Sequence, residues 1–375
     1  MIDTTPFKPN WLVHPGETVA DVLEELGMSQ VDAANRLGSS KKFVNDLIRG
    51  KANISADTAH SLSLVLGSTT EFWMRLQAHY DAEKARFAAE EELVANHSDW
   101  LKRFPMPDLM KFGWIPDAST KGAKITALLR FFGVKTPVIW AENFAKKAIA
   151  FRTSKTHSAD IGATAAWLRQ AERLAQATAL APLDRPAFKD LLPTLKGLSR
   201  HKNFATAWAE LTASCASVGV AVVLVPPPKG CRASGATFFL GTNSAVLALS
   251  GRHKSDDHLW FSFYHEAGHI VLHSKKLTFI ETNDRSDSKV EREADAFARD
   301  MLIPPAKAKK LKLLSAAKDI QAFAKELDIA PGIVVGRMQH DGLIPQSHHN
   351  GLKQALTWNT KDASGKAAID VVGTL

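Results

Sequence analysis

The sequence predicts an α+β protein, mostly α, on three observations. Helical periodicity fills the first ninety or so residues, with a cap or a glycine at nearly every break. Only three short stretches read as strands, VGVAVVLV, ATFFLG and SAVLALS, and they fall together between residues 218 and 250. Directly after them the string HEAGH, residues 265–269, sits inside a run of helical periodicity. The expected architecture is an N-terminal helix-turn-helix bundle, a helical middle region, and a small sheet plus helices carrying an HExxH zinc site. The segments divide at 1–95, 96–205, 206–306 and 307–375.

The N-terminal elements follow from their caps. SQVDAANRLGSSKKFVNDLIRGKANIS reads as helix, tight turn, helix, turn. Ser29 is an N-cap with Asp32 three residues on, Val31, Ala34 and Leu37 form an apolar face, and Gly38 stops the helix. Ser39 or Ser40 caps the second helix, whose Phe43, Val44, Leu47 and Ile48 turn inward. Lys41, Lys42, Asn45 and Arg49 are left outside, and Gly50 ends it. Two helices joined by three or four residues suit a helix-turn-helix with the second helix in the major groove. Lys41 and Lys42 lie at the end of that helix that reaches bases, and Asn45 carries an amide able to read adenine. Ser55 caps a further helix, and Thr69 or Thr70 opens a long one that runs into the low nineties.

SDWLKRFPMPDLMKFGWIPD, rich in aromatics and prolines, reads as a packed joint rather than a tether, with Trp100, Trp114 and Trp140 as core residues. Ala163 to Ala179 reads as an amphipathic helix. The three strands then lead to SDDHLWFSFYHEAGHIVLH, which Ser255 or Asp256 could cap. Trp260, Phe263, Tyr264, Ala267, Ile270 and Val271 form its core stripe. Strands beside this helix would let an extended peptide pair with a sheet edge.

HEAGH places His265 and His269 one turn apart on one helical face, with Glu266 between them. Two imidazoles then point at one ion and a carboxylate stands beside its open position. Zinc held this way acidifies bound water, and Glu266 is the base that takes the proton. A third, anionic ligand is expected on the next helix, VEREADAFARDMLIPP, which Pro304 and Pro305 end. Glu291 is the first candidate and Glu293 the second, and Asp295 can hydrogen-bond the far nitrogen of a ligand histidine. The polar segment Lys275 to Lys289 joins the two helices, as a simple surface connection in the first reading and a candidate lid in the second. Beyond it, Lys307, Lys309, Lys310 and Lys312 read first as a solvated face and second as a DNA contact, two short helices follow, and the last residues read as a frayed tail with a final apolar stretch able to dock back.

Composition narrows the function classes. The 375 residues are 45% hydrophobic and 23% charged, as in a soluble globular protein. The opening MIDTTPFKPN lacks a basic segment followed by an apolar one, no apolar run is long enough to span a bilayer, and two cysteines give no disulfide framework. A cytoplasmic location without membrane contact is expected. The net charge of +8 divides unevenly: residues 1–95 hold nine Lys or Arg against fourteen Asp or Glu, leaving −5 there and +13 in the rest. Contact with DNA must therefore come from local charge, not from the total.

Two resemblances sharpen these expectations. HEAGHIVLH followed by EREADAFARDMLIP resembles the ImmA/IrrE family of HExxH metallopeptidases. There the first Glu of an E-x-x-A-[ND] string is the third ligand, which implies Glu291, and the trailing His273 is implied either to polarise the scissile carbonyl or to cap the helix. Continuously from His14 to Asp81 the chain resembles the HigA-type branch of lambda-repressor-like helix-turn-helix proteins, through His14-Pro15-Gly16-Glu17, Ser29-Gln30, Gly50-Lys51 with Ile54-Ser55, and Thr70-Glu71-Phe72-Trp73. It implies that Gln30 grips a phosphate or base edge and that Ser40, Lys41, Lys42 and Asn45 make the groove contacts. Asp46 departs from the pattern, where a basic residue is frequent. Together they imply a homodimeric regulator on double-stranded promoter DNA. Its zinc peptidase would cut a peptide or protein substrate, such as a repressor, a cognate toxin or itself. The competing expectation is an antitoxin-like repressor whose C-terminal part senses a ligand or clasps a toxin without proteolysis.

Overall fold

The computed structural model describes residues 12–145, 159–273, 279–282, 289–359 and 368–374. It divides into two compact units, Met1–Asn96 and His97–Leu375.

In the first unit five helices, α1 (Pro15–Glu25), α2 (Gln30–Arg36), α3 (Lys41–Ile48), α4 (Ala56–Val65) and α5 (Thr70–His97), enclose a small core. Val19, Leu23, Ala33, Val44, Leu47, Leu62 and Trp73 fill it. The caps are those the sequence offers: Ser29 Oγ accepts from Asp32 N at 3.1 Å, Ser40 Oγ from Phe43 N at 3.1 Å, and Ser55 Oγ from Thr58 N at 3.1 Å. Gly38 and Gly50 end α2 and α3 at positive φ (62° and 70°), where a side chain would be strained. One expectation is corrected. Val31 is 46% exposed, and Ala33 takes the core position. With Ser29 as N-cap, Val31 falls in the first turn, Ala33 and Ala34 are buried, and Leu37 packs half-buried against them.

In the second unit the aromatic joint is packed as expected: Trp140 is fully buried, 5.5 Å from Trp100 and 5.1 Å from Phe104 between ring centroids. A mixed sheet has strand order β1-β3-β2-β4 (β1 Val220–Leu224, β2 Ala233–Leu240, β3 Ser244–Leu249, β4 Phe279–Thr282). β1 is parallel to β3, and β2 is antiparallel to both β3 and β4. The helix with HEAGH, here α6 (Asp256–Leu272), lies on β2 and β3 and packs most heavily on α7 (Lys289–Leu302). Gly268 permits that approach, because a Cβ there would meet Phe297 at 3.1 Å and the Ala294 Cα at 3.3 Å.

Two helices, α8 (Ala317–Glu326) and α9 (Pro331–His340), close the core from below. One hydrophobic cluster runs from Phe188 through Tyr264 to Val334 and Leu356, so it draws on all three sequence segments after residue 95. The tail differs from expectation. Gln354–Asn359 (β5) and Ala368–Thr374 (β6) form an antiparallel ribbon, tied to the start of α6 by a Ser255–Ala355 bridge. Most of the candidate lid segment lies outside the described residues. Its Phe279–Thr282 is the strand β4, so β2 is paired on both sides and offers no free edge beside Glu266. Lys307 and Lys310 pair with Glu326, which accounts for part of the basic cluster as a solvated face. Among the described residues no helix is long and apolar enough to cross a membrane.

Candidate metal centre and nucleic-acid interface

α6 is buried along most of its length because a sheet, α7 and α9 cover it on three sides. Trp260, Phe263, Tyr264, Ala267 and Ile270 take the core stripe, and the Tyr264 hydroxyl donates to the Leu192 carbonyl at 3.1 Å. His265, Glu266 and His269 share this burial at 2%, 0% and 0% exposure. A polar group taken so far from water needs a partner, and each has one.

On the inner side the His265 and His269 Nε2 atoms lie 3.1 Å apart. Glu291, from the first turn of α7, brings Oε2 to 3.2 Å from His265 Nε2 and Oε1 to 3.7 Å from His269 Nε2. On the outer side His265 Nδ1 is 2.9 Å from Asp295 Oδ1, and His269 Nδ1 is 3.0 Å from His273 Nδ1. His273 Nε2 is in turn 3.2 Å from Glu293 Oε2. With carboxylates at both ends, these chains place N–H groups outward and lone pairs inward. Two imidazole lone pairs and a carboxylate then face one point, an arrangement that repels itself and that a divalent cation relieves. Their ligand atoms all lie within 4.8 Å of one another. The donor set of two nitrogens and one oxygen fits zinc with an open position.

The charge states agree with this. Burial would raise the Glu291 carboxyl, but an inward-turned N–H of His265 or His269, a proton standing where a metal would, outweighs it and holds the group at about 2. Burial lowers His269 to about 4, with its neighbours His265 and His273 adding to the shift and Glu291 opposing it. Neutral imidazole and ionised carboxylate are the forms that bind metal.

The sequence reading missed two residues here. Thr237, on β2 and fully buried, donates to Glu266 Oε2 at 2.6 Å and lies 3.0 Å from the Glu266 carbonyl. Gly235, two residues earlier on the same face, makes room for the carboxylate: a Cβ would lie 2.6 Å from Glu266 Oε1. No spacing rule links a strand residue to a helix thirty residues on, though a threonine and a glycine at i and i+2 of a half-buried strand are a weak signal. His273 is the C-cap residue of α6, its backbone N–H donating to the His269 carbonyl at 3.2 Å. Its ring is engaged by His269 and Glu293, and the C-terminus of α6 is held by Arg185, whose guanidinium donates to the His273 carbonyl at 2.7 Å. Glu293, the second-choice ligand, faces His273. Ser255 occupies the N-cap position but makes no capping bond; its hydroxyl donates to Asp257 Oδ1 at 2.6 Å.

In the first unit Lys41 and Lys42 are exposed at the start of α3, while Val44 and Leu47 are buried beneath them. Ser40 is committed to its cap. Asn45 Nδ2 donates to Gln30 Oε1 at 3.3 Å, so the two amides form one half-buried unit between α2 and α3.

A compact helical bundle with Lys41 and Lys42 exposed at the start of one helix and, in the same chain, a two-histidine, one-glutamate cluster define a helix-turn-helix protein that also carries a candidate metal site. Comparison with known proteins agrees. Residues 19–73 match the helix-turn-helix family model and residues 231–328 the IrrE N-terminal-like domain of the M78 peptidases. The chain is 39% identical over 69 residues to virulence-associated protein A′ of Dichelobacter nodosus (18% of this chain, 60% of that protein). It is 32% identical over 74 residues to virulence-associated protein I of the same organism (20% and 68%). The first of these relatives is thus spanned over less than two thirds of its length. Among solved structures, a HigA-family antidote protein from Coxiella burnetii is 34% identical over 22% of this chain and 92% of its own, with a TM-score of 0.21. The chain belongs to the helix-turn-helix family of regulators and carries an IrrE N-terminal-like domain in the same polypeptide.

Proposed function

We propose that the protein is a transcription regulator whose second unit is a zinc-dependent metallo-endopeptidase. Such a regulator would cut a repressor, a toxin or the chain itself to change transcription. The observation that carries this reading is the convergence of His265, His269 and Glu291 with Glu266 buried beside them. His265, His269 and Glu291 would hold the zinc. When bound, zinc supplies a Lewis acid that polarises a carbonyl and lowers the pKa of water. Asp295 holds the tautomer of His265, and the Glu293–His273 pair does the same for His269. Glu266 takes the proton from the attacking water and passes it to the leaving amine. Thr237 keeps one oxygen of Glu266 occupied, so the carboxylate works in a fixed orientation. Gly235 and the sheet behind it exclude bulk solvent from that side.

In the first unit Lys41 and Lys42 meet phosphates, and the Gln30–Asn45 pair meets base edges. One helix of eight residues reads few bases, so a homodimer on a two-fold operator is expected.

Elemental analysis of the purified chain, with Glu266→Gln alongside, tests the proposal. Zinc near one equivalent in both proteins is expected, with induced loss of the target in cells only for the unaltered one. A chain that takes up no divalent metal is not a metallopeptidase. A Glu266→Gln variant that still clears its target leaves a repressor that senses or clasps without cutting.

A further inference from the structure

A basic cluster, with Lys229, Arg232, Arg252 and Lys254 as its cations and a pair of histidines between them, stands at the end of the sheet nearest Glu266, and none of the residues assigned above accounts for it. Lys229, Arg232, Arg252, His253, Lys254 and His258 come from two loops and the first turn of α6. All are exposed except Arg252, which is half-buried. The loops are bound together: Arg252 Nη1 donates to the Arg232 carbonyl at 2.6 Å, Ser250 N donates to the Ser234 carbonyl at 2.9 Å, and the Ser234 hydroxyl is 3.5 Å from His253 Nε2. His253 and His258 stack with centroids 4.3 Å apart and planes 21° apart. Among the described residues the neighbouring carboxylates offset this surface only in part. Asp256 and Asp257 are buried beneath it, Asp257 is taken by Lys353 at 2.7 Å, and Asp108 accepts from the backbone of Lys229.

The position of the cluster gives it meaning. Arg232 is three residues before Gly235, whose backbone abuts the Glu266 carboxylate. At the rise of a strand that is roughly 10 Å. His258 is seven residues before His265, two turns back on the same helical stripe and again roughly 10 Å away. Phe261 lies between them, its ring 6.3 Å from that of His265. An extended chain covers that interval in about three residues. A peptide with its scissile bond at Glu266 therefore passes the Phe261 ring and reaches the cations within one short segment.

We propose that this surface selects the substrate: the peptide carries Glu or Asp about three residues from the bond that is cut, with an apolar residue between. The inference rests on the peptidase reading for the identity of the reacting bond, while the charge preference is measurable without it. Nucleic acid is the other polyanion such a surface could take. The coupling of the patch to the strand and helix that hold Glu266 favours peptide.

The test uses the full chain loaded with zinc and carrying Glu266→Gln, so that bound peptide is not consumed. Three labelled peptides, identical except for a Glu-Glu, Gln-Gln or Lys-Lys pair, are titrated by fluorescence anisotropy. The acidic peptide is expected to bind about tenfold more tightly than the Gln-Gln peptide at low salt, with the gap closing above about 0.5 M salt. Adding Arg232→Glu and Arg252→Glu should remove the preference or turn it toward the Lys-Lys peptide. Equal binding of all three peptides, or a preference that survives those two changes, overturns the proposal. So does displacement by a single-stranded oligonucleotide of the same charge that binds more tightly than the acidic peptide. Acidic preference in the variant, with no cleavage of that peptide by the unaltered zinc protein, counts against the peptidase reading and leaves the docking surface standing.

Discussion

At the scale of single residues, the site is read from which atom faces which. Glu291 and Glu293 are two positions apart on α7, and the sequence allowed either as ligand. In the fold Glu291 faces the two Nε2 atoms and Glu293 faces His273. Glu291→Gln should therefore cost most of the zinc affinity, while Glu293→Gln and His273→Gln should cost about 10- to 100-fold, as outer-shell changes do. Competition with a zinc chelator measures both, and a severe Glu293 variant beside a mild Glu291 variant would reverse the assignment. Thr237 makes a second case. Thr237→Val keeps the shape and removes the donor to a buried carboxylate, so roughly 1–3 kcal/mol of stability should be lost. Thr237→Ser should restore most of it. Urea titrations of both, repeated in a Glu266→Gln background, should show the loss shrink when the charge is gone. An equal loss in both backgrounds would mean that the hydroxyl serves something other than Glu266. HEAGH announced its ligands because helical spacing alone puts i and i+4 on one face. Thr237, Gly235 and the direction of the His273 ring were hidden, because each depends on how a strand or second helix packs on α6.

At the scale of elements, α3 and α6 are each governed by their first turn. α3 presents Lys41 and Lys42 beyond a serine cap, and its inner stripe fixes which residues remain outside. Lys41→Ala and Lys42→Ala should each lower the slope of log affinity for operator against log salt by about one, if each meets a phosphate. Filter binding across a salt series checks this, and an unchanged slope in the double variant would remove α3 from the interface. Gln30→Ala should alter base preference at the position read by Asn45, since the two amides are hydrogen-bonded to each other.

The first turn of α6 holds a different feature. Asp256 Oδ1 accepts from the backbone of Asp257 and Gln354, while its buried Oδ2 has no hydrogen-bond partner among the described residues. Burial, with Asp257 beside it, pushes the Asp256 carboxyl up to about 7. Between about pH 4 and 7 the folded chain therefore holds a proton that the unfolded chain has released, and stability from this group falls as pH rises through that window. A shift of this size corresponds to at most about 4 kcal/mol, and the N-terminal dipole of α6 reduces it by favouring the carboxylate. Asp256→Asn should flatten the stability profile between about pH 5 and 7 relative to the unaltered chain. Parallel profiles would show that Asp256 is ionised throughout. Gly332 and Gly336 on α9 belong to the same packing, since a Cβ at either would strike the Asp256 or Asp257 carboxylate at 2.6 or 2.4 Å. The sequence showed two acids at a helix start; only the packing of α9 and Gln354 onto them shows why one keeps its proton.

At the scale of the molecule, the N-terminal bundle and the helix pair around HEAGH were legible, and the sheet order and the tail were not. Caps and glycines delimit α1 to α5 by local chemistry, and a short interval separates the two ligand-bearing helices, so both could be drawn from sequence. The order β1-β3-β2-β4, the return of β4 to cover β2, and the ribbon of β5 with β6 depend on contacts across tens to hundreds of residues, which periodicity does not encode. The single core running from Phe188 to Leu356 has a consequence for metal binding. All three proposed ligands lie in the second unit, and α6, which carries two of them, is central to its core. A cation that binds only the folded form stabilises it by about 2.7 kcal/mol at a free concentration one hundred times its dissociation constant. Zinc should therefore raise the unfolding temperature of the second unit while leaving that of Met1–Asn96 unchanged. Calorimetry of the full chain with zinc and with a chelator measures this, and Glu291→Gln supplies a protein that should not respond. The effect should weaken as pH falls toward about 4, where protons compete for the His269 imidazole. If both units shifted together, the metal would be acting on the chain as a whole. If neither shifted, His265, His269 and Glu291 would be a buried polar cluster held together by its own hydrogen bonds.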